Sequence, residues 1–355
     1  MSALTERDLY RLPDVPAGPP AGARIAFVRA NALAPFVAFL EAIGAPVDSL
    51  LSQARVPRSL LDESEALLPV PSAYRFAELV ARREHLEDLG ILIGQRASAF
   101  DLGEYGAILQ RASSVHDYLQ IGIRLIDGHS SGTRFWLQPE GDAFRVNQHL
   151  SGPPGLGRCI ADIYTLLVTI STLRRIVGPS WNPDEVRLLA GDEALLGGSE
   201  VFGDVPLVIS QTHSSFTIAR RLMQLPVPPL ATGATANTRQ PAGVPMPLDF
   251  TASAEQLITS LSIEGYPGIE TAAEAAGLSP RTLQRRLAEV GMTYSGLVSA
   301  SRLRLAKTWL TESEMPVAEI AATLGYSEAT NFVRAFRRQT GIAPAAFRRV
   351  RRGLN

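Results

Sequence analysis

Between residues 270 and 352 one pattern is written twice, and this repeat restricts the fold more than any other stretch of the chain. The first copy runs from Glu270 through Gly277, Ser279 and Arg281 to Leu283 and Leu287; the second runs from Val317 through Ile320, Gly325 and Ser327 to Phe332 and Phe336. The exits match too, because Gly291 and Leu297 recur as Gly341 and Phe347. A repeat of about fifty residues marks one supersecondary unit used twice. Each copy holds a first helix, a glycine where the backbone turns, a capping serine, and a second helix with an inward apolar stripe. That is a helix-turn-helix, and its arginines fall on the face left free.

Residues 294–310 join the copies and carry Leu297, Leu303, Leu305 and Leu310 among Arg302, Arg304 and Lys307, with Gly296 the one weak helix former. They predict a connecting helix roughly 25 Å long. Two recognition helices held apart by such a rod match the major groove, which recurs on one face of DNA about every 34 Å. The alternative is a small helical bundle whose arginines are only a solvated surface. The tandem arrangement with matching exits favours DNA.

These residues resemble the C-terminal DNA-binding domain of AraC/XylS-type bacterial transcription regulators. The resemblance covers about 250–352 and is carried by Ile320-Ala321-Ala322-x-Leu324-Gly325-Tyr326-Ser327, by Phe332-x-Arg334-x-Phe336-Arg337, and by Thr340-Gly341-Ile342-x-Pro344-x-x-Phe347-Arg348. It implies that the first recognition helix presents Arg281, Thr282, Gln284 and Arg285 to DNA, and the second Thr330, Asn331, Arg334, Arg337 and Arg338. Their chemistry suits that task, since Arg grips guanine O6 and N7 while Gln or Asn pairs with adenine. Arg286 departs from the family, where its position is usually apolar.

Charge is distributed to match. From residue 281 onward thirteen Lys and Arg face five Glu, a net +8, so a formal net charge of −1 leaves −9 on the rest of the chain. A basic end on an acidic body meets a polyanion with that end alone. The single Cys159 rules out an internal disulfide framework and a multi-cysteine zinc site, and fits a reducing cytoplasm. It also sets the chain apart from DNA-repair alkyltransferases, which join a similar DNA-binding domain to a four-cysteine zinc site. Residues 1–23, with Pro13, Pro16, Pro19 and Pro20, are expected to be a flexible tail rather than a signal peptide. The longest apolar stretch, 159–177, is broken by Asp162, Arg174 and Arg175, so no membrane span is expected.

From residue 24 to about 132 the periodicity is helical, and at Thr133 it changes to two. Residues 134–138 and 143–150 predict a hairpin around Pro139-Glu140-Gly141-Asp142, with a long helix after it over 156–177. Val186 to Leu189 predicts a further strand, and 206–209 with 215–218 a further pair. The domain is therefore expected to be α+β, ahead of an all-α DNA-binding domain of two helix-turn-helix motifs and a connecting helix. Its aromatic residues read first as core, and second as the lining of a pocket in which Arg134, Trp136, His149, Arg158 and Tyr164 meet a small molecule. His85, His116 and His129 show no ligand spacing, so no metal is expected.

The N-terminal part is also similar to the effector-binding domain in one branch of the same family. The marks are Phe27-Val28-Arg29-Ala30 before the first helix, the Phe135-Trp136-Leu137 hairpin after a helix, and Val201 to Pro206 ahead of a late strand. This similarity implies a sensor of a small-molecule effector and dimerisation. The domains are then 24–225 for sensing and dimerisation, 226–249 as a proline-rich linker, and 250–355 for DNA.

The sequence has no glycine-rich phosphate loop, HExxH pair or Gly-x-Ser-x-Gly elbow, so no enzyme and no cofactor are expected. The expected function is a cytoplasmic, effector-controlled transcription regulator, with activator and repressor both open. Its partners would be double-stranded DNA, a small-molecule effector, a second copy of the chain and RNA polymerase. A regulator controlled by a protein partner, or an N-terminal enzyme tethered to DNA, are the alternatives.

Overall fold

The computed structural model describes residues 24–189, 191, 201–210, 212–228, 245–262 and 266–351; the expected tail 1–23 and linker residues 229–244 lie outside them. The chain opens with a strand too short to announce itself, β1 (Phe27–Arg29), which pairs antiparallel with β2 (Leu67–Pro69). Helices α1 (Ala34–Ala42) and α2 (Val47–Gln53) lie between them, burying Phe36, Leu40, Leu50 and Leu51. Next comes α3 (Val70–Arg83), started by Pro71, whose missing N–H costs nothing in a first turn.

Three further helices, α4 (Leu89–Gly94), α5 (Gly103–Leu109) and α6 (Val115–His129), precede the sheet. Ser114 caps α6 by accepting from the Asp117 N–H. Strands β3 (Thr133–Glu140) and β4 (Ala143–Leu150) form the expected hairpin, closed by Gly141 and Asp142 alone. Pro139 is accommodated because β3 is an edge strand.

The 22-residue α7 (Leu156–Val177) is the spine of the domain. By length and composition it could cross a membrane, contrary to the expectation from its charges, but most of it is buried inside the protein. Helix α4 lies against it at close range: a β-carbon on Gly90 would stand 2.6 Å from the Ile160 carbonyl oxygen, and one on Gly94 2.8 Å from Leu167 Cβ. Only glycine at both positions permits that approach.

Strands β5 (Val186–Leu189), β6 (Leu207–Ser210) and β7 (Ser214–Ala219) complete a five-stranded sheet in the order β3-β4-β7-β5-β6. Both strands expected over 206–209 and 215–218 form, but they do not pair with each other. Instead β6 runs parallel to β5, and β7 enters between β4 and β5. The face toward α7 carries Phe144, Val146, Phe216 and Ile218, with Gln148 and Ser214 bonded to the buried Asp162 carboxylate of α7. The opposite face is polar yet also buried, where Arg145 donates to Glu140, Glu185 and Ser215.

The C-terminal part is all helix: α8 (Phe250–Leu261), α9 (Ile269–Ala275), α10 (Pro280–Glu289), α11 (Tyr294–Glu312), α12 (Val317–Thr323), α13 (Ala329–Thr340) and α14 (Pro344–Arg351). It has two cores. One joins α8, α9 and α10 to the start of α11 through Leu257, Leu283, Leu287 and Leu297. The other joins the end of α11 to α12 and α13 through Leu310, Ile320, Phe332 and Phe336.

The two parts of the chain are in contact. Ile25 and Phe27 on and beside β1, with Leu67 of β2, are buried in the same cluster as Leu257, Ile258 and Leu283. The Ile25 N–H donates to Ser253 Oγ at 3.0 Å, and Ser260 Oγ donates to the Leu67 carbonyl at 2.8 Å. The short ribbon therefore belongs to both domains, and residues 24–28 are not a passive lead-in.

Candidate nucleic-acid interface and internal cavity

The first helix-turn-helix consists of α9 and α10, turned at Gly277 with φ +67. Ser279 caps α10 by accepting from the Thr282 N–H at 3.1 Å. Leu283 and Leu287 are buried, which leaves Arg281, Gln284 and Arg285 exposed on the opposite face. Thr282 is half-buried with its hydroxyl 2.8 Å from Ser279 Oγ, and Arg285 pairs with Glu289 at 3.1 Å. The unusual Arg286 lies over the Phe250 ring, its guanidinium carbon 5.8 Å from the ring centre, so it packs as an amphipathic side chain.

The second motif, α12 and α13, turns at Gly325 with φ +72. Ser327 does not take the capping role its position suggests. Glu328 occupies the N-cap without accepting from a backbone N–H of the helix, and its carboxylate instead accepts from the Thr330 hydroxyl at 3.0 Å. Phe332 and Phe336 are buried, while Thr330, Asn331, Arg334, Arg337 and Arg338 are exposed. Arg348 serves the scaffold, donating to the carbonyls of Leu310 in the last turn of α11 and Met315 in the connection that follows.

The rod between the motifs is α11, 19 residues and so about 28 Å long. Arg302 on this rod is held between Tyr266 and Tyr326, with its guanidinium carbon 4.3 and 5.0 Å from their ring centres. Tyr266 packs on both cores, so this stack joins the two halves.

The N-terminal domain holds a partly open cavity of about 130 Å³. Its walls come from β1 and α1 (Val28, Phe36), α3 (Val70, Ala73, Tyr74, Ala77), α6 (Tyr118, Leu119, Gly122, Ile126, His129), β3 (Thr133, Phe135) and α7 (Ala161, Tyr164, Val168). Tyr105 also lines it and stacks on His129 with ring centres 5.1 Å apart. Burial, reinforced by the positive charge of Arg29, depresses the His129 pKa to about 4, so the imidazole is neutral at neutral pH. Burial likewise raises the Tyr164 hydroxyl above the ordinary tyrosine value.

Of the residues expected around a small molecule, Tyr164 lines this cavity and four lie elsewhere. Arg134, Trp136 and His149 alternate out of register with Thr133 and Phe135, and Trp136 meets His213 edge-on at 4.8 Å on the other side of the sheet. Arg158 is buried in the first turn of α7 outside the lining. His129 is legible in the sequence only as an isolated histidine. Its signal is the spacing Tyr118, Gly122, Ile126 and His129, which puts all four on one face of α6.

Helix α3 links cavity and DNA-binding part. Val70, Ala73, Tyr74 and Ala77 face the cavity, while Arg75 pairs with Glu274 of α9, which also accepts from Arg55 at 3.2 Å. Pro71, in the first turn of α3, packs on Gly277.

Comparison with known proteins agrees with this division. A family model described as the arabinose-binding domain of AraC transcription regulators, N-terminal, matches residues 44–227, and one described as a helix-turn-helix domain matches 272–350. The chain belongs to the AraC-type transcription regulators, with an N-terminal effector-binding domain and a C-terminal helix-turn-helix domain. The ornithine utilization regulator of Pseudomonas aeruginosa is 41% identical over 83 residues, which is 23% of this chain and 24% of that protein. The match thus spans about a quarter of that relative's length. VirS of Mycobacterium tuberculosis is 23% identical over 335 residues, covering 90% of this chain and 96% of VirS. Among solved structures, the regulator CdpR of Pseudomonas aeruginosa is 22% identical with a TM-score of 0.35, covering 86% of this chain and 96% of CdpR.

Proposed function

We propose that this protein is a sequence-specific DNA-binding regulator of transcription whose DNA affinity responds to a small molecule in the N-terminal cavity. Arg281, Gln284 and Arg285 of α10, with Thr330, Asn331 and Arg334 of α13, read base edges; Thr282, Arg337 and Arg338 contact phosphate. All of these side chains except the half-buried Thr282 are exposed opposite a buried stripe, which supports their contact with DNA. The observation that carries effector control is the double role of α3, which walls the cavity with one face and touches α9 and its turn with another. A ligand that binds one arrangement of α3 better than another shifts the population of DNA-binding states by that difference in affinity.

The protein acts in the cytoplasm as a homodimer and as an activator that contacts RNA polymerase. The remaining effector candidates from the sequence, Arg134, Trp136, His149 and Arg158, carry no role in this reading because they stand away from the cavity. The test is to select bound fragments from the source genome with the full chain, then footprint them with wild type and Arg281→Ala. Protected sites with a shared sequence, lost selectively in the variant, are the expected result. Uniform coating of all DNA by both proteins would overturn the reading.

A further inference from the structure

The walls of the cavity restrict what can enter it. None of its described lining residues is Asp, Glu, Lys or Arg. Arg29, whose charge acts on His129, is engaged elsewhere, donating to the Gly128 and Glu65 carbonyls and standing 3.6 Å from the Glu65 carboxylate. A charged ligand entering this space would surrender its hydration for no counter-charge.

The polar groups that do line the cavity are mostly committed to the protein. Tyr74 donates to the Ser151 carbonyl and Tyr105 to that of Gly122, while Thr169 donates to the Thr165 carbonyl. The Ser130 and Thr133 hydroxyls lie 2.9 Å apart and satisfy each other. Two groups differ: His129 Nδ1 and the Tyr164 hydroxyl are buried with no hydrogen-bond partner among the described residues. A buried polar atom left in this state costs about 1–3 kcal/mol, which a ligand that completes the bond recovers. A sugar, with a hydroxyl on nearly every carbon, would bury several groups against apolar walls.

Size and shape narrow the class further. Apolar cavities of roughly 150 Å³ hold benzene-sized guests, and this one is comparable at about 130 Å³. Its walls include the rings of Phe36, Tyr105, Phe135 and Tyr164, with Phe36 and Tyr164 meeting edge-on at 4.8 Å. Rings of this kind favour a flat or cyclic guest through edge and face contacts. We propose that the cavity takes an uncharged aromatic or alicyclic compound with one or two hydroxyl or carbonyl groups, which bond to His129 Nδ1 and the Tyr164 hydroxyl. This assignment rests on reading the N-terminal domain as the effector-binding part, and departs from the sugar in the family model's description.

The experiment is a thermal-shift and calorimetric titration of the full chain with p-cresol, cyclohexanone and toluene, against benzoate, benzylamine, L-arabinose and L-ornithine. The neutral ring compounds should raise the melting temperature and the other four should not. Ala73→Phe and Ala161→Phe, which fill the cavity from different helices, should each abolish the response. Tyr164→Phe, His129→Gln or both should weaken p-cresol about 2- to 10-fold and leave toluene unchanged. No response to p-cresol or cyclohexanone, or a response that survives both filling variants, overturns the proposal. Binding of a charged probe or sugar that the filling variants abolish also overturns the class of ligand, while leaving the effector reading intact. If p-cresol binds as expected but does not change retention of the protein's own selected DNA fragments, the ligand assignment stands and effector control fails.

Discussion

Pro71, in the first turn of α3, packs directly on Gly277, the turn of the first helix-turn-helix. A β-carbon on Gly277 would stand 2.9 Å from Pro71 Cγ, and the glycine's φ of +67 is one that L side chains rarely adopt. Gly277→Ala therefore meets two separate obstacles. The backbone conformation costs about 1–2 kcal/mol wherever the helix-turn-helix is folded. The contact with Pro71 adds to this only while the domains are docked. A double-mutant cycle with Pro71→Ala, read by urea unfolding of the full chain, should show a coupling of at least about 0.5 kcal/mol. Strict additivity would mean that the two residues do not touch in solution.

Glu274 tests the same interface electrostatically. It pairs with Arg55 and Arg75, all three side chains being a third to a half exposed, so each pair contributes about 0–1 kcal/mol. Glu274→Gln should leave overall stability within about 1 kcal/mol of wild type. Its effect should appear instead as faster amide exchange in β1, β2 and α8, a difference from wild type that shrinks as added salt screens the pairs. Exchange in these elements that matches wild type would show the ion pairs to be incidental.

The recognition helices predict two kinds of loss. Arg281→Ala or Arg334→Ala should cost about 1–3 kcal/mol at particular base pairs, with little change at others. Arg337→Ala or Arg338→Ala should weaken binding to every sequence alike and lower the salt slope by about one unit per lost phosphate contact. Quantitative footprinting over a set of base-pair substitutions and salt concentrations separates the two patterns, and a reversed pattern would exchange the roles.

Arg302 predicts how far the two motifs act as one body. Removing its guanidinium from between Tyr266 and Tyr326 should cost about 1–2 kcal/mol. Arg302→Lys should restore little, because the planar stack is lost with the guanidinium. If the stack fixes the spacing of α10 and α13, Arg302→Ala will weaken a two-part site more than an isolated half-site. Equal weakening of both would limit the residue to local stability.

The helix-turn-helix pair is legible in the sequence because its information is local: stripe, turn glycine and exit succeed one another within each copy. The β3–β4 hairpin and α7 are legible for the same reason. What escapes depends on contacts distant in sequence. Three-residue strands such as β1 and β2 hold too few positions to show a period, and nothing near Phe27 indicates that it packs on Leu257. The alternation along β3 is visible, but not which side faces inward. Arg145 and Asn147 on the opposite face are as buried as Phe144 and Val146, so burial does not track polarity in this sheet. Arg134, Trp136 and His149 draw attention by their chemistry, whereas the cavity is walled by their less conspicuous neighbours Thr133 and Phe135. The parity of Thr133, Phe135 and Leu137 is the available signal, since that set is the more apolar of the two.

His129 offers a test of the cavity that needs no ligand. Its folded pKa of about 4 lies below the 6.5 expected of the unfolded chain, chiefly because burial penalises the charged imidazole and secondarily because Arg29 is positive. Between those values the unfolded state binds a proton that the folded state refuses, so stability from this group is fully present above pH 6.5 and declines as the pH falls toward 4. At pH 5 the loss should be about 2 kcal/mol. Other groups titrate in the same range, which makes His129→Gln the necessary reference. The wild-type stability relative to this variant, measured by urea unfolding, should fall by that amount between pH 7.5 and pH 5 (~2 kcal/mol). A constant difference would mean that His129 is solvated, and the wall of the cavity formed by α6 would then be open to water.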